Sequence, residues 1–270
     1  MRRALAVGAT VGLILGGMLM ALLAAGERLV YFPRPLGPSE GQAVLSRHPQ
    51  AIEVTVPTAD GVRLHGWQLP GGDGPARPLV LYFGGNAEEV SWMLEFGTVF
   101  TGWDLVLLNY RGYGLSAGNP SQRALLADAL TIYDHFTRQP NIDGGRVVVV
   151  GRSLGSGVAS YLASQRPVRG VLLVTPFDSI TEVARGLYPF LPVRWVLGDL
   201  YDSAALAPKL TTPLRMIVAG RDEVIAGRHS QRLFEVWGGP KDLVMIANAG
   251  HNDVRGYREY WQAIRDFLQR

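Results

Sequence analysis

The chain has 270 residues, 47% of them hydrophobic and 18% charged, and a formal net charge of +3. That length suits one large α/β domain or two small ones, of which one domain with a substantial core is expected, and the even spread of charge argues against a nucleic-acid binder, which would gather Lys and Arg into a stripe. There is no cysteine, so disulfides, thiolate metal sites and cysteine nucleophiles are excluded too.

From position 4 to position 25 no charged residue occurs. At about 1.5 Å per helical residue such a run can cross a hydrocarbon core of roughly 30 Å. Residues 1–26 are therefore expected to form an uncleaved membrane anchor, because Leu22-Leu23-Ala24-Ala25-Gly26 lacks the small residue that a cleaved leader carries three positions before its exit. Arg2 and Arg3 put the short tail on the cytoplasmic side and the rest of the chain on the far side, periplasmic, extracellular or lumenal. Residues 27–50, with Pro33, Pro35 and Pro38 among aromatics, read as a stiff linker. The domain proper is expected over 51–270.

Two alternating stretches, 52–56 and 62–67, flank an Ala59-Asp60-Gly61 turn and predict an antiparallel hairpin. The apolar run 79–83 predicts a buried strand leading into Gly84-Gly85-Asn86-Ala87, and a helix through Val90, Met93, Leu94 and Val99 follows. A strand over 105–109 runs into a loop that holds Gly112, Gly114 and Ala117, the spacing of a dinucleotide fingerprint. That fingerprint requires its helix to begin within the glycine turn. Here Gly118-Asn119-Pro120 intervene and the helix begins near Ser121, so the loop reads as a structural turn.

Val147-Val148-Val149-Val150 predicts a strand buried on both faces. It stops at Gly151-Arg152-Ser153-Leu154-Gly155, and a helix follows. Strand, tight turn and helix with a serine at the apex is the context in which Gly-x-Ser-x-Gly presents a nucleophile. A strand over 171–174 ends at Thr175-Pro176-Phe177-Asp178, and the proline-broken apolar stretch at about 180–208 predicts a short helical insertion after the sixth strand that could wall an apolar substrate. A strand over 214–218 ends at Asp222, and one over 243–246 ends at His251. A helix from about 228 to 237 separates them, and another from about 257 to 268 closes the chain. Alternating strands and helices give a mostly parallel, doubly covered sheet with an N-terminal antiparallel hairpin.

A serine hydroxyl needs a base, and the base needs an orienting carboxylate. Among the five histidines only His251 stands in a loop straight after a strand, and His48, His65, His135 and His229 read as surface or packing residues. Asp222 is the expected acid. Asp178 is the alternative, read in the first instance as a helix cap, and Glu223 and Asp253 read as solvating neighbours. The backbone N–H groups of Leu154 and Asn86 are the expected oxyanion donors.

These stretches together resemble the α/β-hydrolase superfamily, and within it the single-pass membrane-anchored serine hydrolases of the BEM46-like group. Asn109-Tyr110-Arg111-Gly112-Tyr113-Gly114, Thr175-Pro176-Phe177-Asp178-Ser179-Ile180, Asp222-Glu223-Val224-Ile225 and Gly250-His251-Asn252 carry the likeness beside the serine and glycine motifs. One departure is Gly84, where relatives commonly have histidine. The resemblance implies an α/β-hydrolase fold, a Ser153–His251–Asp222 triad, and no metal or cofactor. The expected reaction is cleavage of a carboxylic ester or thioester of a small molecule, and a lipid-like or other apolar acyl group would suit the anchor and the Tyr188 to Leu197 stretch of the insertion. A peptidase or amidase on the same triad and a non-catalytic anchored binding protein are the rival expectations.

Overall fold

The computed structural model describes residues 26–74 and 76–270. Among them eight strands form one sheet: β1 (Ile52–Pro57), β2 (Arg63–Leu69), β3 (Arg77–Phe83), β4 (Asp104–Leu108), β5 (Ile142–Arg152), β6 (Gly170–Val174), β7 (Leu214–Ala219) and β8 (Lys241–Ile246). Their order is β1-β2-β4-β3-β5-β6-β7-β8. β1 lies antiparallel to β2, and β2 antiparallel to β4. Every pairing from β4 through β3 to β8 is parallel. All the parallel strands therefore deliver their following loops to one edge.

The valine run explains why β5 sits mid-sheet. Successive side chains on a strand point to opposite faces. Val147 and Val149 enter the core that holds Leu125, Phe136 and Leu162, whereas Val148 and Val150 enter the one that holds Met93, Tyr260 and Ile264. The first core is roofed by α2 (Gln122–Thr137) and α3 (Leu154–Gln165), the second by the 3-10 segment Val90–Phe100 and α8 (Arg258–Leu268). α2 starts where Ser121 places its hydroxyl oxygen to accept the N–H of Ala124 at 3.1 Å.

Three local features differ from the sequence expectation. The helix expected from Val90 is a 3-10 segment broken at Phe96, whose ring stacks on Trp261 with centroids 4.0 Å apart. Gly97 then passes so close to Leu69 that a side chain there would collide with it. Residues 27–50, expected as a spacer, hold a 3-10 turn (Gly26–Val30) and a helix, α1 (Pro38–Arg47). Glu40 accepts the Gly37 N–H at 2.6 Å, and Val44 is buried in the core with Trp67 and Leu69. The proline run is tied down as well: Leu36 donates to the Gly114 carbonyl and Gly114 donates to that of Arg34, both at 2.8 Å.

The stretch after β6 folds as α4 (Ile180–Leu187), α5 (Val193–Leu197) and α6 (Ser203–Leu206), and α7 (Gly227–Val236) separates β7 from β8. The anchor expected over 1–26 lies outside the described residues except for Gly26. Among the described residues no helix is long and apolar enough to cross a membrane.

Candidate active site

β5 ends at Arg152, and α3 begins at Leu154. Ser153 alone makes the reversal, with φ 49° and ψ −115°. This is a sparsely populated backbone region that costs an L residue on the order of 1–3 kcal/mol. Two glycines make the turn possible, because a Cβ on Gly151 would run into the Gly155 carbonyl and one on Gly155 into the Phe83 carbonyl. The Ser153 N–H donates to the Val174 carbonyl at 2.9 Å, which fixes the turn to β6. The hydroxyl is left standing clear of the sheet.

His251 reaches that hydroxyl from the loop after β8. Its Nε2 lies 2.9 Å from Ser153 Oγ, and its Nδ1 lies 2.9 Å from Asp222 Oδ2 and 3.1 Å from Oδ1. The side chains of both His251 and Asp222 are only 5% exposed, so this pair works in a medium drier than bulk water. The Asp222 carboxylate is held in turn by the N–H groups of Val224 at 2.9 Å and Ile225 at 2.7 Å. An imidazole bonded on both nitrogens in this way can take the serine proton at Nε2 while the carboxylate stabilises the resulting imidazolium.

The loop after β3 lies against the serine, since a Cβ on Gly85 would stand 3.5 Å from Ser153 Cβ. Asn86 is fixed through its side chain: Oδ1 accepts from the Phe32 N–H at 2.9 Å and the Tyr113 hydroxyl at 2.7 Å, and Nδ2 donates to the Val30 carbonyl. Its backbone N–H is not engaged elsewhere among the described residues, nor is that of Leu154, which opens α3 where no helical carbonyl can accept it.

Residues 74–206 match the hydrolase family described as serine aminopeptidase, S33. An uncharacterised protein of Mycobacterium tuberculosis is 37% identical over 270 residues, which is 98% of this chain and 95% of that protein. A solved alpha-beta hydrolase from Vibrio vulnificus superposes with a TM-score of 0.68 at 21% identity, over 86% of this chain and 87% of that one. The chain belongs to the α/β-hydrolase superfamily. An uncharacterised membrane protein of Saccharomyces cerevisiae is a further relative, 29% identical over 225 residues, covering 80% of this chain and 78% of that protein.

For an α/β-hydrolase, the two candidate acids have different surroundings. Asp178 does not face His251. Its Oδ1 pairs with His229 Nδ1 at 2.8 Å, and Arg232 approaches its Oδ2 at 3.5 Å. Nor is Asp178 the cap of α4, which is Ser179, whose hydroxyl accepts the Glu182 N–H at 3.2 Å. His229, read from sequence as an ordinary packing or surface residue, is buried and hydrogen-bonded to Asp178.

Four further residues hold this hydrolase's loops and were not singled out by sequence for that task. Glu88 accepts from the Tyr82 hydroxyl at 2.6 Å, the Gly85 N–H at 2.7 Å, the Trp92 indole at 2.9 Å and Arg152 Nη1 at 2.7 Å. Arg152 continues to the His251 carbonyl at 3.3 Å. Glu223 accepts the His251 N–H at 3.1 Å and Asp253 the Gly250 N–H at 2.7 Å. The serine turn, the Gly85 loop and the histidine loop are thereby joined through one buried ion pair. The signal for it in the sequence is the single arginine inside the serine motif, which a buried site must pair.

A cavity of about 640 Å³ opens beside these loops, lined by Asn86, Arg152, Asn252, Trp92, Arg34 and Arg255. An apolar groove of about 280 Å³ lies between the 3-10 turn and the insertion. No group of three His, Asp or Glu among the described residues could hold a metal ion.

Proposed function

We propose that this chain is a membrane-anchored serine hydrolase of carboxylic esters or thioesters, with apolar acyl groups favoured. The observation that carries the proposal is the continuous hydrogen-bonded line from Ser153 through His251 to Asp222, set on a strained turn at the carboxyl edge of the sheet. In the reaction His251 Nε2 takes the Ser153 proton as Oγ bonds to the acyl carbon. The negative charge developing on the carbonyl oxygen rests on the Leu154 and Asn86 N–H groups. The bond from acyl carbon to leaving group then breaks, and His251 passes its proton to the departing atom. Water attacks the acyl-enzyme by the same route and frees the acid.

The family description makes aminopeptidase activity the second reading. Recognition of a peptide's α-ammonium requires an available carboxylate, and the buried acid lining the larger cavity, Glu88, already has its four bonds, which favours an acyl ester over a peptide. The anchor over 1–26, and with it membership in the BEM46-like group, is supported by the uncharged run and by the yeast relative's description as a membrane protein, and the far-side position of the domain by Arg2 and Arg3 ahead of that run.

The test is labelling of the full chain and its Ser153→Ala variant with a fluorophosphonate, with the modified residue read by mass spectrometry. Modification at Ser153 that is absent in the variant is the expected result. A folded protein left unmodified would overturn the proposal and favour a binding role. Turnover of a matched ester and amide then separates esterase from peptidase.

A further inference from the structure

Seven of the twelve large hydrophobic side chains exposed among the described residues fall in two short stretches. Leu187, Tyr188, Phe190, Leu191 and Trp195 belong to the insertion, and Leu29 and Phe32 to the segment that follows Gly26. Phe190 is 98% exposed and Trp195 79%. The two stretches form one face, because Leu29, Tyr188 and Leu191 line the same apolar groove as Val30, Ile180 and Val196. Lone exposed apolar residues need no explanation, but a contiguous group of this kind marks a surface that is covered in use.

What covers it is indicated by where the chain enters. A Cβ on Gly26 would lie 3.3 Å from the Val196 carbonyl, so the first described residue abuts α5 inside this face. Immediately before it stand the residues from 4 to 25, without a charge among them. We infer that the face formed by 187–195 and 29–32 docks into the interfacial layer of a bilayer, an inference that rests on the anchor proposed over 1–26. Trp195 and Tyr188 carry the aromatic, amphipathic chemistry that settles at headgroup depth. Phe190 and Leu191 supply the apolar contact below it. Arg28 and Arg194 in the same stretches have stems long enough to keep their charges in the headgroup region.

The docking has a consequence for substrate, and this part rests on Ser153 being the nucleophile. The groove opens within the docked face, and one of its lining residues, Val30, has its carbonyl held by the Asn86 side chain of the loop beside the serine. An apolar acyl chain lying in the bilayer can therefore enter the groove without crossing water. The charged cavity, which Asn86 itself lines, is left for the polar part of the molecule.

Because the chain has no cysteine, single cysteines can be placed without background. The full chain, carrying Phe190→Cys, Trp195→Cys or, at the opposite edge of the sheet, Arg138→Cys, is labelled with an environment-sensitive NBD group and reconstituted in phosphatidylcholine vesicles. Emission at 190 and 195 is expected to shift to the blue and to be quenched by nitroxide-bearing lipid, while that at 138 does neither. Aqueous emission at all three positions would overturn the inference, as would failure of the protein to float with the vesicles. A blue shift that lipid quencher does not touch and that depends on protein density would also overturn it, in favour of a second copy of the chain. The same measurement in a Ser153→Ala background reads docking independently of hydrolysis. In the Phe190→Asp, Trp195→Asp double variant the apparent KM for a long-chain ester embedded in vesicles should rise roughly tenfold or more, with kcat on a soluble short-chain ester unchanged. That second substrate also reports that the variant is folded.

Discussion

Two aspartates stand after neighbouring strands, and only their partners tell them apart. Asp222 faces His251, and Asp178 faces His229. Asp222→Asn should therefore lower kcat by about 10⁴-fold, because the amide favours the wrong imidazole tautomer while leaving the geometry in place. Asp178→Ala should spare the chemistry and instead cost on the order of 1–3 kcal/mol of stability, since it strands a buried histidine. Steady-state kinetics and denaturant melts of the two variants check the assignment, and a large loss of kcat in Asp178→Ala with Asp222→Asn active would reverse it. The candidate serine was legible in the sequence because it stands between glycines at the apex of a strand, tight turn and helix, and the candidate histidine because it is the one histidine in a loop straight after a strand. The choice of acid was less so, for it depends on which histidine the fold brings to which strand, and His229 looked like any residue at a helix start.

Between elements, what brings Ser153, His251 and Asp222 together is the geometry of three strand-end loops. The glycines of the serine turn were readable because close approach of backbone to backbone admits no other residue, and Gly155 against the Phe83 carbonyl is the tightest case. Gly155→Ala should cost about 1–3 kcal/mol or more, as overpacking does, and should misalign β3 and α3 together, so that Tm and kcat fall in the same variant. The Glu88–Arg152 pair was not readable, since its partners lie 64 residues apart in the chain and meet only through the order β3-β5. Glu88→Gln keeps the side chain's shape and removes its charge. It should leave KM for a small ester nearly unchanged and lower kcat by about tenfold through loss of loop alignment. Unchanged kcat with lowered Tm would assign Glu88 a purely structural role. α1 was missed for another reason: Gly37-Pro38-Ser39-Glu40 is a helix start by composition, with proline in the first turn and an acid three residues after the cap, but the surrounding prolines masked it.

On the scale of the whole molecule, the two cores on either side of the sheet bury phenols as well as hydrocarbon. Burial pushes Tyr113 up from the ordinary 10.0 to about 12. Tyr82 and Tyr110 are raised well above their ordinary value, first by burial and then by neighbouring groups that take or carry negative charge, Glu88 for Tyr82 and Tyr201 for Tyr110. Below pH 10 both the folded and unfolded chains hold these protons, and the stability associated with them is fully present. Between pH 10 and 12 the unfolded chain releases its protons and the folded chain does not, so stability falls as pH rises. Followed together by tyrosinate absorbance and far-UV ellipticity, part of the ten tyrosines should titrate only as the helical signal is lost. Titration of all ten near pH 10 with the fold intact would contradict the burial. Tyr82 also ties this transition to the site, because its hydroxyl donates to the same Glu88 that holds the Gly85 loop and Arg152. Glu88→Gln should then bring the Tyr82 titration to lower pH without returning it to 10, since burial is the larger cause and survives the substitution. Full return to the ordinary value would mean instead that the mutation had opened the core above β3 to water.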